Sequence, residues 1–332
     1  MKQGKPARTW RRWWSIAALL AAAVLAVAGL TWTRGRTPVA AFVEHPMSDP
    51  HDAPIAIAAA RDGTIWFTID RADAIGRIRN GQVERLATQG RNIEPLGLAI
   101  GTDGSAWFTD LAARSVARVD SSGEVVRYAL DTPIVRLGRL AIAPDGAAWF
   151  AESTASSVTR LKDGKFTRHA IDTRRGGPYG VAVAADGTVW ATLQGGNQLL
   201  RILPEGADAT IDLPRAGVVP TDIAVGNDGS VWFLQFRANR IGRFKDGAFS
   251  DFVVAKENAG LTGLAVAADG AVWFGMVRGS SLGRLRDGNI DVFRLPRDDA
   301  RPYSVAVDPD GNVWYADIRG YVGMLPNRYA RR

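Results

Sequence analysis

The chain has 332 residues, of which 46% are hydrophobic and 23% charged. This composition is typical of a folded globular protein and excludes a disordered chain. The chain contains no cysteine, which excludes disulfides, thiolate metal sites and cysteine nucleophiles.

The formal net charge of +7 is concentrated at the N-terminus. No Asp or Glu precedes residue 37, and the basic residues there account for the whole excess: Lys2, Lys5, Arg8, Arg11, Arg12, Arg34 and Arg36. The rest of the chain is therefore close to neutral. It predicts no basic surface for a phosphate backbone and no nucleic-acid partner.

An apolar run without charge extends from Trp13 to Trp32 and follows a basic segment. This pattern predicts a hydrophobic helix that is either a signal peptide or a membrane anchor. Ala26-Val27-Ala28 offers a small-residue cleavage site, whereas the length of the run suffices to span a bilayer. In both cases residues 37–332 are exported. The protein is then periplasmic or secreted, or is anchored to the inner membrane by residues 13–32.

A unit of 41 or 42 residues then repeats seven times. Each unit has an Asp-Gly pair followed by a Trp at a fixed offset. The pairs are Asp62-Gly63, Asp103-Gly104, Asp145-Gly146, Asp186-Gly187, Asp228-Gly229, Asp269-Gly270 and Asp310-Gly311, and the tryptophans are Trp66, Trp107, Trp149, Trp190, Trp232, Trp273 and Trp314.

Each unit reads as four short strands, with a hairpin at Asp-Gly because glycine supplies the positive φ that tight turns need. Units of this length and composition predict an all-β, seven-bladed β-propeller with four-stranded blades over residues 37–332. The blades start near residues 54, 95, 137, 178, 220, 261 and 302. The tryptophans are predicted to fill the space between neighbouring blades.

The seventh unit ends after its third strand, Tyr321 to Leu325. The segment 39–46 resembles the fourth strands of other units, and we expect Val39 to Glu44 to pair into the last blade. Such a latch would close the ring and remove two exposed sheet edges.

In a propeller, the start of the first strand and the end of the second strand lie at one mouth of the central channel. The first position, just ahead of each predicted first strand, holds Ile55, Leu96, Arg139, Tyr179, Thr221, Thr262 and Tyr303. The second holds Ile69, Asp110, Glu152, Leu193, Gln235, Met276 and Asp317. The carboxylates Asp110, Glu152 and Asp317 either form a metal site across the mouth or are solvated rim residues. None of the three histidines falls on these positions.

The unit that contains Pro95-Leu96-Gly97-Leu98-Ala99-Ile100 and Trp107-Phe108-Thr109-Asp110 resembles the repeat of the virginiamycin B lyase (streptogramin lyase) family, as does Ile75-Gly76-Arg77-Ile78. The resemblance covers about residues 39–325 and extends to related NHL-like propellers. It implies a seven-bladed propeller and the opening of cyclic streptogramin B antibiotics by Mg²⁺-assisted elimination at the ester linkage.

The resemblance also implies catalytic histidines and carboxylates at the mouth of the last blades. At the matching positions this chain has Thr262 for one histidine, Arg301 and Tyr303 for a Glu-x-His pair, and Asp317 for the last glutamate. Only Asp317 keeps the expected chemistry, and Arg301 would repel Mg²⁺. Asp317 and Tyr303 are therefore the candidate catalytic residues by position.

Three functions remain open. The first is a propeller that binds a small molecule, glycan or peptide through Arg139, Tyr179, Thr262, Arg301 and Tyr303. The second is a streptogramin B lyase with a metal at Asp110, Glu152 and Asp317. The third is a scaffold for envelope proteins. The residues themselves predict no cofactor, a monomer, and membrane contact only through the N-terminal segment.

Overall fold

The computed structural model describes residues 42–88, 93–132, 136–172 and 176–331. Seven four-stranded antiparallel sheets form the described part of the chain. The first strand of each sheet contacts the first strands of the two neighbouring sheets, and the last of them contacts the first. The sheets are therefore blades arranged in a closed ring, which confirms the predicted seven-bladed propeller.

The strands are numbered in chain order, and strand β1 is Val43–Pro46. Blade one contains β2 (Ala53–Ala59), β3 (Ile65–Asp70), β4 (Ala74–Arg79) and β5 (Gln82–Ala87). Blade two contains β6 (Pro95–Ile100), β7 (Ala106–Asp110), β8 (Ser115–Val119) and β9 (Val125–Ala129). Blade three contains β10 (Leu137–Ile142), β11 (Ala148–Glu152), β12 (Ser157–Lys162) and β13 (Lys165–Ala170). Blade four contains β14 (Pro178–Val183), β15 (Val189–Leu193), β16 (Gln198–Ile202) and β17 (Asp208–Asp212).

Blade five contains β18 (Pro220–Val225), β19 (Val231–Gln235), β20 (Arg240–Lys245) and β21 (Ala248–Val253). Blade six contains β22 (Leu261–Val266), β23 (Val272–Met276), β24 (Ser281–Arg286) and β25 (Asn289–Arg294). Blade seven contains β26 (Pro302–Val307), β27 (Val313–Asp317) and β28 (Tyr321–Leu325), and a short helix α1 (Asn327–Ala330) follows it.

Strand β1 is the fourth strand of blade seven and runs antiparallel to β28, with Val43 opposite Met324 and Pro46 opposite Tyr321. Val43 and Glu44 of the predicted latch thus pair with β28, and the pairing continues to Pro46. Residues 39–41 lie outside the described part. The predicted hydrophobic helix at 13–32 also lies outside it. No helix of the described residues is long and apolar enough to cross a membrane.

The Asp-Gly turns use the aspartate as well as the glycine. In six blades the aspartate Oδ1 accepts the backbone N–H two residues later, as from Thr64 to Asp62 at 2.9 Å. In blade seven Asp308 takes this role and accepts the N–H of Asn312. The seven turn glycines have φ between 78° and 87°, which only glycine adopts without strain.

The tryptophans lie between blades, as the repeat predicts. Trp66 packs in a cluster with Phe108 of blade two, and Trp314 packs with Phe67 of blade one across the ring closure. On one face of Trp66 lies the guanidinium of Arg77, with its Cζ 5.5 Å from the ring centroid. Arginine stacks in the same way in five blades.

Two histidines pack against these tryptophans in the outer strands. The ring of His45 stacks on Trp314 with a centroid distance of 6.0 Å, and that of His169 lies 5.2 Å from Trp149. Burial lowers the pKa of both imidazoles below the ordinary value of 6.5. For His169, the charge of Asp208 opposes the effect of burial and that of Arg160 adds to it.

This lowering of the pKa makes stability depend on pH. As the pH falls below 6.5, the unfolded chain binds protons before the folded protein does. The contribution of the two neutral imidazoles to the free energy of unfolding is fully present above their ordinary pKa, and it is lost as the pH falls through the pKa of the folded state. We expect the melting temperature to drop between about pH 7.5 and about pH 5, and to drop less in the double variant His45→Phe/His169→Phe. Calorimetry at both pH values measures this, with exposed His51→Phe as the control; equal pH dependence in all three proteins would contradict it.

Candidate functional site

Every first strand carries an irregularity at the same place. In each blade the register between the first and second strands shifts near the start of the first strand. The shift begins at the first or second residue of that strand and ends two or three residues later. Such β-bulges redirect side chains out of the regular alternation. Because the first strands form the inner ring, the side chains at the bulge lie at one end of the channel.

The register corrects one assignment made from the sequence. Leu140 pairs with Phe150 as Leu98 pairs with Phe108, so Arg139 is the counterpart of Gly97 rather than of Leu96. Arg139 therefore belongs to the next set of equivalent positions in the seven first strands. This column of residues comprises Ala56, Gly97, Arg139, Gly180, Asp222, Gly263 and Ser304. Matching the repeats by sequence placed Arg139 one residue off, because blade three has Leu137 where most blades begin with proline. All of the predicted first positions also lie within the first strands rather than just ahead of them.

This column is restricted to small residues in five blades because neighbouring first strands approach each other closely there. A Cβ added at Gly97 would lie 2.7 Å from the backbone nitrogen of Leu140. Arg139 and Asp222 are the two exceptions in the column, and they come from blades three and five. They form an ion pair, with Nε to Oδ1 at 2.6 Å and Nη2 to Oδ2 at 3.3 Å.

Both members of the pair bind further groups from other blades. Nη1 of Arg139 donates to the carbonyl of Leu96 at 2.7 Å, and the N–H of Gly263 donates to Oδ2 of Asp222 at 3.0 Å. The guanidinium carbon of Arg139 lies 5.9 Å from the ring centroids of both Tyr179 and Tyr303. We call Arg139, Asp222, Tyr179 and Tyr303 the channel cluster. With its partners it links blades two to seven across the axis.

The channel cluster is shielded from water: the side chains of Arg139 and Asp222 are only 12% and 11% exposed. Burial by itself would lower the pKa of Arg139, but the charge and hydrogen bonds of Asp222, together with Tyr179 and Tyr303, outweigh burial and raise the pKa. Burial raises the pKa of Tyr179, and the nearby Arg139 offsets only part of this rise. The Tyr179 phenol therefore stays protonated at neutral pH and keeps its hydrogen-bond donor.

Two threonines stand beside the channel cluster at the first position. The hydroxyl of Thr262 donates to the carbonyl of Pro302 at 2.7 Å. The hydroxyl oxygen of Thr221 is buried and has no hydrogen-bond partner. The mouth therefore combines a neutralised ion pair, two phenol rings and an unsatisfied hydroxyl, which suits a polar ligand with ring or amide surfaces.

The three carboxylates proposed as a metal site do not come together. Asp110 is fully buried and accepts from Nη1 of Arg127 at 2.8 Å and from the N–H groups of Glu94 and Ala113. Its lone pairs are therefore taken up by groups of its own blade and the adjoining loops. It stabilises the loop after its strand instead of facing the channel.

Glu152 and Asp317 are bound in the same way. Glu152 accepts from Nε of Arg168 at 3.1 Å and from the hydroxyl of Thr159. Asp317 accepts from Arg297 and from the N–H groups of Arg301 and Arg319, the last two at 2.9 Å. Each carboxylate thus has its own arginine. In the described ranges, no group of three or more His, Asp or Glu residues is placed to hold a metal ion.

Of the other predicted site residues, some meet at the channel cluster and one does not. Tyr179 and Tyr303 are brought to Arg139, and Thr262 binds the carbonyl of Pro302, the residue before Tyr303. The side chain of Arg301 is exposed, and the residue meets Asp317 through its backbone N–H. Sequence reasoning missed Asp222. Its signal was present: Arg139 and Asp222 are two large residues of opposite charge in a column of small ones.

The other mouth of the channel, at the Asp-Gly turns, has a different character. Two adjoining cavities there, of about 810 and 730 Å³, share Ala59, Arg61 and Asn227. The last residues of the seven first strands line them: Ala59, Ile100, Ile142, Val183, Val225, Val266 and Val307. Charged and aromatic side chains such as Arg61, Asp269 and Trp273 line this mouth too, whereas the shielded ion pair of Arg139 and Asp222 lies at the first mouth.

The sequence profile described as the virginiamycin B lyase family matches residues 35–162 and 82–327. The chain belongs to this family. The virginiamycin B lyase of Nocardia farcinica is 36% identical over 212 residues, which is 64% of this chain and 73% of that protein.

Solved structures of the virginiamycin B lyase family share the fold. A catalytically inactive His-to-Ala variant of the Staphylococcus aureus enzyme, with quinupristin, superposes with a TM-score of 0.81. It is 24% identical, and the alignment covers 86% of this chain and 98% of that one. A streptogramin B lyase structure gives a TM-score of 0.82 at 24% identity, with 86% and 96% covered.

The residues at the family's expected Mg²⁺ and histidine positions do not fit that chemistry here. Asp317 is already bound by Arg297 and two backbone N–H groups, and Arg301 brings a positive charge. Of the chain's three histidines, all in described segments, His45 and His169 lie in outer strands and His51 in an exposed loop beside Asp49.

Proposed function

We propose that this member of the virginiamycin B lyase family binds a small molecule, glycan or peptide at the channel mouth without opening it. The observation that carries the proposal is the channel cluster. Arg139, which is paired with Asp222, occupies the axis between Tyr179 and Tyr303. Neutral phenols and threonine hydroxyls recognise amide and hydroxyl groups but are poor bases at neutral pH.

A peptide-like ligand is the class that the relatives favour. The Staphylococcus aureus virginiamycin B lyase was solved with quinupristin. At the channel mouth of this chain, the aromatic faces of Tyr179 and Tyr303 would pack against such a ligand. The unsatisfied Thr221 hydroxyl would bind one of its polar groups.

The alternative is a streptogramin B lyase. Family membership and the 36% identity to the Nocardia farcinica virginiamycin B lyase favour it. It requires a base that takes the α-proton of the substrate, and the matching positions hold Thr262 and Tyr303. The hydroxyl of Thr262 is already committed to the Pro302 carbonyl.

Incubation of the purified protein with virginiamycin B and Mg²⁺ separates the two functions. We expect the cyclic compound to remain intact, because the phenols and threonine hydroxyls at the mouth are poor bases. Elimination would yield a linear isomer of unchanged mass, so chromatography with mass detection is used to separate the two forms. In calorimetric titration we expect saturable binding that Tyr303→Ala weakens by about tenfold or more, since a buried tyrosine contact contributes at least ~1.4 kcal/mol.

Arg61→Gln, at the opposite mouth of the channel, is the control and should bind like the wild type. Accumulation of the linear isomer would establish the lyase and refute the proposal. Absence of both binding and opening would remove streptogramins as the ligand class. Binding that Tyr303→Ala does not change would place the ligand away from the channel cluster.

We also propose that the propeller acts outside the cytoplasm, as a monomer. The uncharged run from Trp13 to Trp32 behind a basic segment supports export, by cleavage or by anchoring. Fractionation of cells would test this, and recovery of the protein in the cytoplasmic fraction would contradict it.

A further inference from the structure

A second cavity, away from the channel, lies beside blade five and measures about 480 Å³. The segment after blade four forms one wall, and strands β19 and β21 form the others. The residues that matter for its chemistry are Leu213, Arg215, Phe233, Gln235, Phe249 and Asp251. Its size is within the range of small-molecule sites.

The same location in blade seven is filled by the protein itself. Glu44 stands opposite Gly323 there, as Asp251 stands opposite Gly242 in blade five. Arg297 binds Glu44 at 3.2 Å and also binds Asp317. The hydroxyl of Tyr315 donates to Glu44 at 2.8 Å. The polar groups at this place in blade seven therefore bind one another.

Blade five keeps the framework but lacks these contacts. Phe233 replaces Tyr315 and has no hydroxyl. Gln235 replaces Asp317; the residue is 5% exposed, and its Oε1 has no hydrogen-bond partner. Arg215, the counterpart of Arg297, is 53% exposed and stands 3.6 Å from Asp251. The cavity therefore offers an amide oxygen without a hydrogen-bond donor and a half-exposed guanidinium beside the rings of Phe233 and Phe249.

The charges favour an anion. Asp251 is shared by Arg215 and Arg240, the latter at 3.1 Å, which leaves one positive charge in excess among these three side chains. A carboxylate matches the planar donor geometry of a guanidinium. The amide of Gln235 turns about its terminal torsion at little cost and so can accept a hydrogen bond from a ligand hydroxyl or N–H.

We propose that this cavity binds a small monocarboxylic acid with an apolar body and a hydroxyl or N–H next to the carboxylate. Arg215 holds the carboxylate, Gln235 accepts from the hydroxyl or N–H, and Leu213, Phe233 and Phe249 enclose the body. The site is separate from the channel cluster, and it stands whether or not the channel binds a ligand.

The test uses 3-phenyllactate as the probe, titrated into the whole protein and followed by calorimetry. We expect saturable binding that is weaker by about tenfold for 3-phenylpropionate, which lacks the hydroxyl, and for 3-phenyl-1,2-propanediol, which lacks the carboxylate. Arg215→Gln should weaken phenyllactate binding by a similar factor. Phe233→Tyr should weaken it, because the added hydroxyl would bind Asp251 within the cavity as that of Tyr315 binds Glu44 in blade seven.

Arg237→Gln removes an exposed arginine just after strand β19 and is the charge-matched control, which should bind normally. Tyr303→Ala should also leave phenyllactate binding unchanged, so this proposal and the channel proposal fail separately. The inference is overturned if phenyllactate does not saturate below about 10 mM. It is also overturned if phenylpropionate binds equally well, or if neither Arg215→Gln nor Phe233→Tyr alters binding.

Discussion

Arg139→Ala and Asp222→Ala are each expected to lower the free energy of unfolding by about 3–5 kcal/mol. Each substitution leaves an uncompensated charge in the shielded channel, where the partner is only about one-tenth exposed. Loss of Arg139 also frees the carbonyl of Leu96, and loss of Asp222 frees the N–H of Gly263. Denaturant unfolding of both variants measures the effect.

The double variant Arg139→Ala/Asp222→Ala supplies the decisive comparison. With both charges removed, its loss of stability should be smaller than the sum of the single losses by about 2–3 kcal/mol. Arg237→Ala, an exposed arginine outside the channel, should change stability by less than about 0.5 kcal/mol. Strictly additive losses would mean that the two side chains do not stabilise the ring as a pair.

Deletion of residues 37–46, which removes strand β1, should lower the melting temperature by on the order of 10 °C. Blade seven would lose its fourth strand, and β28 would become an open edge. Tyr315 would lose the carboxylate that accepts its hydroxyl hydrogen bond, and Arg297 would lose one of its three carboxylate partners. Thermal unfolding followed by circular dichroism measures the change.

Val43→Thr is the matched control for the deletion, because Val43 is an exposed residue of the same strand. It keeps the pairing with Met324 and should melt within about 2 °C of the wild type. A deletion variant that also melts within that margin would show that β1 does not hold the ring closed.

Local patterns were sufficient to predict the blades. The Asp-Gly pair specifies a hairpin through its own backbone and side chain, and each Trp fills the gap to the next blade wherever the unit occurs. Such features depend on neighbours in the sequence or on identical neighbours in the ring. Repetition therefore made them visible without coordinates.

The candidate site was harder to predict because its residues depend on contacts between different blades. The position of Arg139 was misjudged by one residue, because blade three begins with Leu137 where most blades begin with proline. The carboxylates of Asp110, Glu152 and Asp317 looked available, yet each is bound by an arginine that lies elsewhere in the sequence. The spacing of residues along the sequence does not show whether a carboxylate is already hydrogen-bonded.

By itself, the sequence of this protein determined the number of blades, the four-stranded unit and the family resemblance, because each rests on short-range patterns copied seven times. Only the tertiary structure decided the content of the channel. Arg139 and Asp222 are 83 residues apart and meet because the ring closes. The physical reason is that pairing between blades depends on the closed circle, which no single repeat encodes.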